Sequence, residues 1–200
     1  DPAAVEVALV GAEDRLFRPG WQPPEPFLAL FVGKLIPLHG LDTILDAARL
    51  APEIPFRIVG EGQLADALTD APANVERVGW VEYEALPELY QRAGCALGIF
   101  GTGEKAGRVI PNKVFQALAC GRPLVTADTP GARELLTDGH DALLVSPGDP
   151  AQLAAALRRL AADPALAERI ALAGRATYEE HASEAVLGVV WRSILERALR

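Results

Sequence analysis

Apolar runs of strand length alternate with helix-period stretches along most of the chain, and this rhythm constrains the fold more than any other feature. The runs are FLALFVG (27–33), FRIVG (56–60), VERVGW (75–80), CALGIF (95–100), PLVTAD (123–128) and ALLVS (142–146). Most are near-continuous in Val, Ile, Leu and Phe. Strands buried on both faces of a parallel sheet have this pattern, whereas half-solvated strands alternate. Helical stretches are predicted to start near Gly40, Gln63, Glu84, Pro111 and Pro130. Strand and helix repeating at this interval make βαβ units with right-handed crossovers. The predicted fold class is therefore α/β: a Rossmann-like parallel sheet of about six strands with helices on both faces.

Three more helices follow the last strand. Leu153, Leu157 and Leu160 form an apolar stripe in the first, over 150–162. Pro164 suits the first turn of the second, over 164–180. Ser183 is the expected N-cap of the third, in which Val186, Leu187, Val190, Trp191, Ile194 and Leu195 share one face. That face reads as core or domain contact, because the opposite side is not basic enough for a membrane-surface helix. Ahead of the first strand, RPGWQPPEPF (18–27) is a proline-stiffened linker, and VEVALV (5–10) is a candidate further strand. The chain thus divides into a lead-in segment and Pro-rich linker (1–26), a main Rossmann-like domain (27–182) and a C-terminal helix (183–200).

Composition narrows the function classes. Two hundred residues, 50% hydrophobic and 23% charged, suffice for one domain with a proper core and exclude disorder as the main state. No apolar run approaches bilayer-spanning length. The chain has no Met and starts at Asp1, so it reads as a piece cut from a longer protein. Nineteen basic against 27 acidic residues give a net charge of −8, which argues against a nucleic-acid partner. Cys95 and Cys120 sit in apolar contexts and read as small buried hydrophobes, consistent with a reducing cytosol.

In an open parallel sheet, ligands bind at the carboxyl ends of the strands. The first such loop lacks G-x-G-x-x-G, which argues against a dinucleotide-dependent dehydrogenase. It holds Gly33, Lys34, His39 and Gly40 instead: glycines for close backbone approach, a lysine within reach of a phosphate, and a histidine able to add a hydrogen bond. The loop FGTGEKAGRVIPNK (100–113) is long, punctuated by glycine, and carries Lys105, Arg108, Asn112 and Lys113. It runs into a helix over Asn112–Cys120, whose free N–H groups favour an anion. Gln116, one turn on, shares the exposed face of that helix. These residues compose a diphosphate site with amides nearby for hydroxyls. GEG (60–62) reads as a turn, and His140 as a turn residue before a strand. His39, His140 and His181 have no partners at metal spacing, no D-x-D pair occurs and no G-x-S-x-G elbow occurs, so no metal and no nucleophile triad is expected.

With these residues in place, the chain resembles the C-terminal, donor-binding half of the GT-B fold in family 4 retaining glycosyltransferases. The likeness is carried in order by VALVGAEDRLFRP, FVGKLIPLHGLDTILDAARL, FRIVGEG, NVERVGWVEYEALPELYQRA and GRPLVTADTPGARELLTDGHDALLVSPGDPAQLAAAL. In the first segment Gly11, Phe17 and Pro19 fit the family, while Glu13 stands where aspartate is usual. The resemblance implies a nucleotide-sugar donor lying over the strand ends. Lys34 matches the family's arginine and His39 its lysine, both of which contact the diphosphate. The backbone around Val81 matches the segment that hydrogen-bonds the base. The family also carries two glutamates, one for the donor sugar and one for the ribose hydroxyls, and Arg108 and Gln116 occupy those positions here. RVIPNKVFQALACGRP is closer to a subgroup with a Pro-Asn-Lys helix start, in which Lys113 takes a phosphate or sugar contact.

The resemblance further implies transfer of a sugar from a nucleotide diphosphate to an acceptor with retained configuration. Lys34, Arg108 and Lys113 are the expected catalytic cations. Gly33, His39, Gly40, Val81, Lys105, Asn112 and Gln116 are the expected substrate contacts. No cofactor or metal is expected beyond the donor itself. The acceptor site is expected on an N-terminal domain of the same protein, absent from this chain, with the C-terminal helix 183–200 packing toward it, so the chain alone is expected to bind nucleotide without transferring sugar. Cytoplasmic location is expected, with any peripheral contact at the inner membrane face made through that missing half. The alternatives are a sugar-nucleotide 2-epimerase-like domain and a non-catalytic nucleotide-binding or interaction domain.

Overall fold

The computed structural model describes residues 6–199. Six short strands, β1 (Ala29–Val32), β2 (Phe56–Val59), β3 (Val75–Val78), β4 (Cys95–Leu97), β5 (Leu124–Ala127) and β6 (Leu143–Val145), form one parallel sheet in the order β3-β2-β1-β4-β5-β6. The helices are α1 (Leu41–Leu50), α2 (Leu86–Gln91), α3 (Asn112–Ala119), α4 (Pro130–Arg133), α5 (Pro150–Ala162), α6 (Pro164–His181) and α7 (Glu184–Ala198). In register, Ala29 of β1 lies opposite Phe56 of β2 and Cys95 of β4. Strand order reverses between β1 and β4, where an open α/β sheet leaves a crevice beyond its carboxyl edge.

Both faces of the sheet are covered, which explains the near-continuous apolar runs. Phe31, Phe56, Ile58 and Leu97 belong to a core shared with α1, α5 and the first half of α6. Leu30, Val59, Ala96 and Leu124 belong to a second core with α2, α3 and the end of α6. Neighbouring strand residues therefore go to opposite faces, as the pleat requires. Helix starts follow a repeated device: Asp149, Asp163 and Thr129 each accept from a backbone N–H three residues on, with proline in the next position.

Two expectations are corrected. Residues 6–10 of VEVALV form no strand, and Val5 lies outside the described residues. The segment lies against α7 instead: Glu6 pairs with Arg197 at 2.9 Å, and Gly11 sits where a Cβ would meet Leu187. The helix expected from Gln63 is only a 3₁₀ turn at Ala65–Leu68, because Leu68 alone is fully buried there and an amphipathic stripe is lacking. The helix expected from Pro130 is present and one turn long, with Gly131 against the backbone of Arg108 and Val109.

Two polar devices tie down the ends. Ser183 stands at the N-cap of α7, but its hydroxyl donates to Glu179 O. Asp14 does the capping from across the chain: its carboxylate accepts from Glu184 N at 3.0 Å and from the Tyr178 hydroxyl at 2.7 Å. Glu184 reciprocates by accepting from Asp14 N at 3.1 Å. Arg122, 1% exposed, donates to the carbonyls of Gly20, Gln22 and Ala93 and lies over Trp21, which pins the proline-rich linker to the domain. Cys95 and Cys120 are buried and free, and burial raises both thiols, Cys120 to about 12. No helix of the described residues is long and apolar enough to cross a membrane.

Candidate functional site

The carboxyl ends of three adjacent strands and the start of one helix enclose the site. β1 runs into Gly33–Lys34, β2 into Gly60–Glu61–Gly62, β3 into Gly79–Trp80–Val81, and α3 opens at Asn112. Together they line a cavity of about 750 Å³. Of the residues expected from the sequence, Gly33, Lys34, His39, Val81, Asn112, Lys113 and Gln116 line it. Gly40, Lys105 and Arg108 do not. Gly40 is the left-handed N-cap of α1 (φ 66°), and a Cβ there would meet the Phe100 carbonyl carbon at 2.6 Å. Lys105 lines a separate groove with Thr43, Thr102 and Gly148. Arg108 points outward, 73% exposed, and pairs with Glu104 one turn upstream. Two of the five loop and helix cations and amides expected near the diphosphate thus serve elsewhere, for the local reason that a 3₁₀ turn at Ala106–Arg108 faces them out.

Lys113 is the unusual member. It is 7% exposed, its ammonium lies 3.7 Å from the centre of the Phe31 ring, and its Nζ has no hydrogen-bond partner among the described residues. Desolvation holds its pKa well below the usual lysine range. Gly33 makes the room: a Cβ there would sit 2.7 Å from Lys113 Nζ, and its φ of 148° disfavours any other residue. His39 is the neighbour on the other side of Gly33. Its Nδ1 bonds Lys34 O, and since a carbonyl only accepts, Nδ1 carries the proton and Nε2 is the free acceptor. Desolvation first, then the charge of Lys113, push its pKa from 6.5 to about 4. His39 is therefore a neutral hydrogen-bonding group near neutral pH.

At α3, Val114 N donates to Pro111 O. The N–H groups of Asn112 and Lys113 have no backbone partner among the described residues, so the helix start faces the cavity with donors. Gln116 is buried, and the Tyr90 hydroxyl donates to its Oε1 at 3.1 Å. Tyr90 is 1% exposed, so its proton needs that acceptor, and this fixes which way the amide faces. The Gln116 NH₂ is left as a donor.

The cavity also holds residues that the sequence reading passed over. Glu61 is its single carboxylate among the described residues, and Trp80 and Tyr83 stand at the β3 side, Trp80 70% exposed. The available signals were a lone acidic residue between two glycines at a strand end and a large aromatic directly after another strand's glycine. Chemically, the cavity offers cations and helix donors at one end and aromatic surface at the other. Among the described residues no group of three His, Cys, Asp or Glu side chains is placed to hold a metal ion.

Comparison with known proteins fits this geometry. A family described as glycosyl transferase-like matches residues 42–187. The chain is 27% identical over 180 residues to the lipopolysaccharide core biosynthesis glycosyltransferase LpsD of Rhizobium meliloti, covering 88% of this chain and 51% of that protein. It is 30% identical over 230 residues to the D-inositol 3-phosphate glycosyltransferase of Mycolicibacterium vanbaalenii, covering 100% of this chain and 50% of that protein. It therefore spans about half the length of these relatives. Its fold matches HepE of Anabaena, solved with UDP and glucose, with a TM-score of 0.78 at 20% identity over 96% of this chain and 56% of that one. It also matches the C-terminal domain of LpcC, a glycosyl transferase group 1 family protein from Francisella tularensis, with a TM-score of 0.69 at 16% identity over 85% of this chain and 97% of that one. A family match across most of the chain, a six-stranded parallel sheet and the half-length coverage all agree: the chain belongs to the glycosyl transferase-like family, with the fold of a GT-B C-terminal domain.

Proposed function

We propose that this chain is the nucleotide-sugar-binding domain of a retaining glycosyltransferase, which moves a sugar from a nucleoside diphosphate to an acceptor. The observation that carries this reading is Lys113: an amine buried without a partner, beside a glycine that leaves it room, at the donor-rich start of a helix. A buried unpaired amine is costly, and an incoming anion relieves that cost. The diphosphate then lies between Lys34, Lys113 and the α3 N-terminus. There, preorganised positive charge stabilises the negative charge that develops on it as the sugar leaves. The reaction needs no metal ion when cations and helix dipole carry that load. His39 Nε2 accepts a hydrogen bond from a donor hydroxyl. HepE, a fold relative, is solved with UDP and glucose, which supports the donor class.

In this reading the acceptor and much of the catalytic surround belong to an N-terminal domain of the same protein. That domain also makes any contact with a membrane-borne acceptor, and the donor is met in the cytoplasm. The chain alone binds nucleotide and transfers no sugar. Calorimetric titration of UDP, GDP, ADP and dTDP tests the site, with Lys34→Ala and Lys113→Met beside the parent. At least one nucleotide is expected to bind, and each variant to weaken it by about tenfold or more, since each removes a charge-assisted contact. Variants that bind like the parent sink the site. Sugar transfer by the isolated chain sinks the division of labour.

A further inference from the structure

The order of chemistry across the cavity follows the order of strands in the sheet. Neighbouring strands lie about 4.8 Å apart, so the loops after β1, β2 and β3 form three successive stations. The β1 station is cationic, with Gly33, Lys34 and the neighbouring Lys113. The β3 station is aromatic, with Trp80 exposed. A nucleoside diphosphate has the same order of parts: anion, then sugar diol, then aromatic base. The station between them, at the end of β2, carries one side chain, that of Glu61.

The loop around Glu61 is built to hold that side chain in place. Gly60 and Gly62 have φ of 131° and 155°, and a Cβ at either would strike the β1 loop, Gly33 O at 2.1 Å and Leu35 O at 2.6 Å. Glu61 O accepts from Leu35 N at 2.9 Å. The backbone is thus locked onto the β1 loop, and the carboxylate stands toward the β3 side, with Oε1 3.4 Å from where a Cβ on Gly79 would be. Across the cavity, Gln116 has its NH₂ free to donate, while Tyr90 takes one of the two lone pairs of its carbonyl oxygen. A vicinal diol is a pair of donors that also accepts. Held between these two, it needs an acceptor, and Glu61 is the single carboxylate lining the cavity among the described residues.

We propose that Glu61 is the specificity-determining acceptor for the ribose hydroxyls, with the Gln116 amide donating from the opposite side, so that the site selects ribonucleoside over deoxyribonucleoside diphosphates. This rests on the donor-site reading above and deepens it. An ionised carboxylate holds a hydroxyl pair by charge-assisted bonds, and loss of one partner leaves it without its match. The substrate class that follows is a ribonucleotide-linked sugar, with deoxythymidine-linked donors discriminated against.

The test is a set of titrations with UDP, GDP, ADP and their 2′-deoxy counterparts, on the parent, on Glu61→Gln and on a double variant carrying Glu61→Gln with Gln116→Glu. The parent is expected to bind the preferred ribonucleotide about tenfold more tightly than its deoxy form. In Glu61→Gln that ratio is expected to fall to within about twofold, by weakening of the ribonucleotide alone. The double variant, which moves an acceptor onto α3, is expected to regain the discrimination. Equal tightening of both nucleotides by Glu61→Gln overturns the proposal, because the carboxylate would then only repel the diphosphate. Unchanged discrimination in Glu61→Gln, or a double variant that does not regain it, also overturns it while leaving the donor site standing. Failure of all six nucleotides to bind removes the donor-site reading and this one together.

Discussion

At the scale of single residues, Lys113 and His39 set function against stability. Lys113 has no partner for its amine, while its stem packs in the core beside Phe31. Lys113→Met keeps the volume and removes the unsatisfied group. We expect it to raise the Tm by roughly 3–8 °C, from about 1–3 kcal/mol for an unmet buried polar group in a chain of this size. Nucleotide binding is expected to be lost in the same variant, and a thermal melt beside a titration checks both. His39 makes stability depend on pH. Its folded pKa, about 4, lies below the ordinary 6.5, so between these values the unfolded chain takes up a proton that the folded chain refuses. Its contribution is complete above about pH 6.5 and is lost as pH falls toward 4. Melts across this window should show a shallower fall for His39→Asn than for the parent. The sequence located both residues by loop position. It could not show that one is neutral and the other unpartnered, because both properties come from burial by Phe31 and from a packing distance across Gly33.

At the scale of elements, the clearest lesson is the start of α7. Ser183 has the right residue type in the right place, yet its hydroxyl turns back to Glu179 O and the cap comes from Asp14, far away in sequence. Asp14→Ala removes the cap and one of the two acceptors facing the Tyr178 hydroxyl, leaving Ala12 O at 3.0 Å. We expect a loss of about 1 kcal/mol or slightly more, or about 2–4 °C in Tm, with far-UV circular dichroism losing signal first from the last helix. Ser183→Ala should cost less. Local rules served well where the capping group is local, as at Asp149 and Asp163. They failed where the partner is brought by the fold, and also at residues 6–10, whose strand-like composition finds α7 to lie against and, among the described residues, no strand with which to pair.

At the scale of the whole molecule, the apolar pattern of α7 is left largely open. None of its described residues is fully buried, and Trp191, Leu195 and the following Leu199, spaced four apart on one face, are all more than half exposed. Contiguous apolar surface of this kind promotes association. Replacing Trp191 with Glu and Leu195 with Lys should leave Tm within about 1 °C, as surface changes do, while lowering self-association in light scattering at high concentration. A large change in Tm would mean that this face contributes to the domain's own stability.

The sequence by itself determined the fold class and where in that fold to look. Continuous apolar runs require a sheet covered on both faces, right-handed crossovers make it parallel, and ligands meet such a sheet at its carboxyl edge. These rules act through local pattern and chain connectivity, so they can be read from one chain. Tertiary structure decided which residues share the cavity. Lys105 and Arg108 stand in the same loop as Lys113, but the 3₁₀ turn at Ala106–Arg108 sends their charge away from it, while α3 carries Lys113 inward. Glu61 and Trp80 come into the cavity because β2 and β3 lie beside β1 in the sheet. Side-chain direction and strand neighbourhood are set by contacts between segments distant in sequence, and so they appear only once those segments pack.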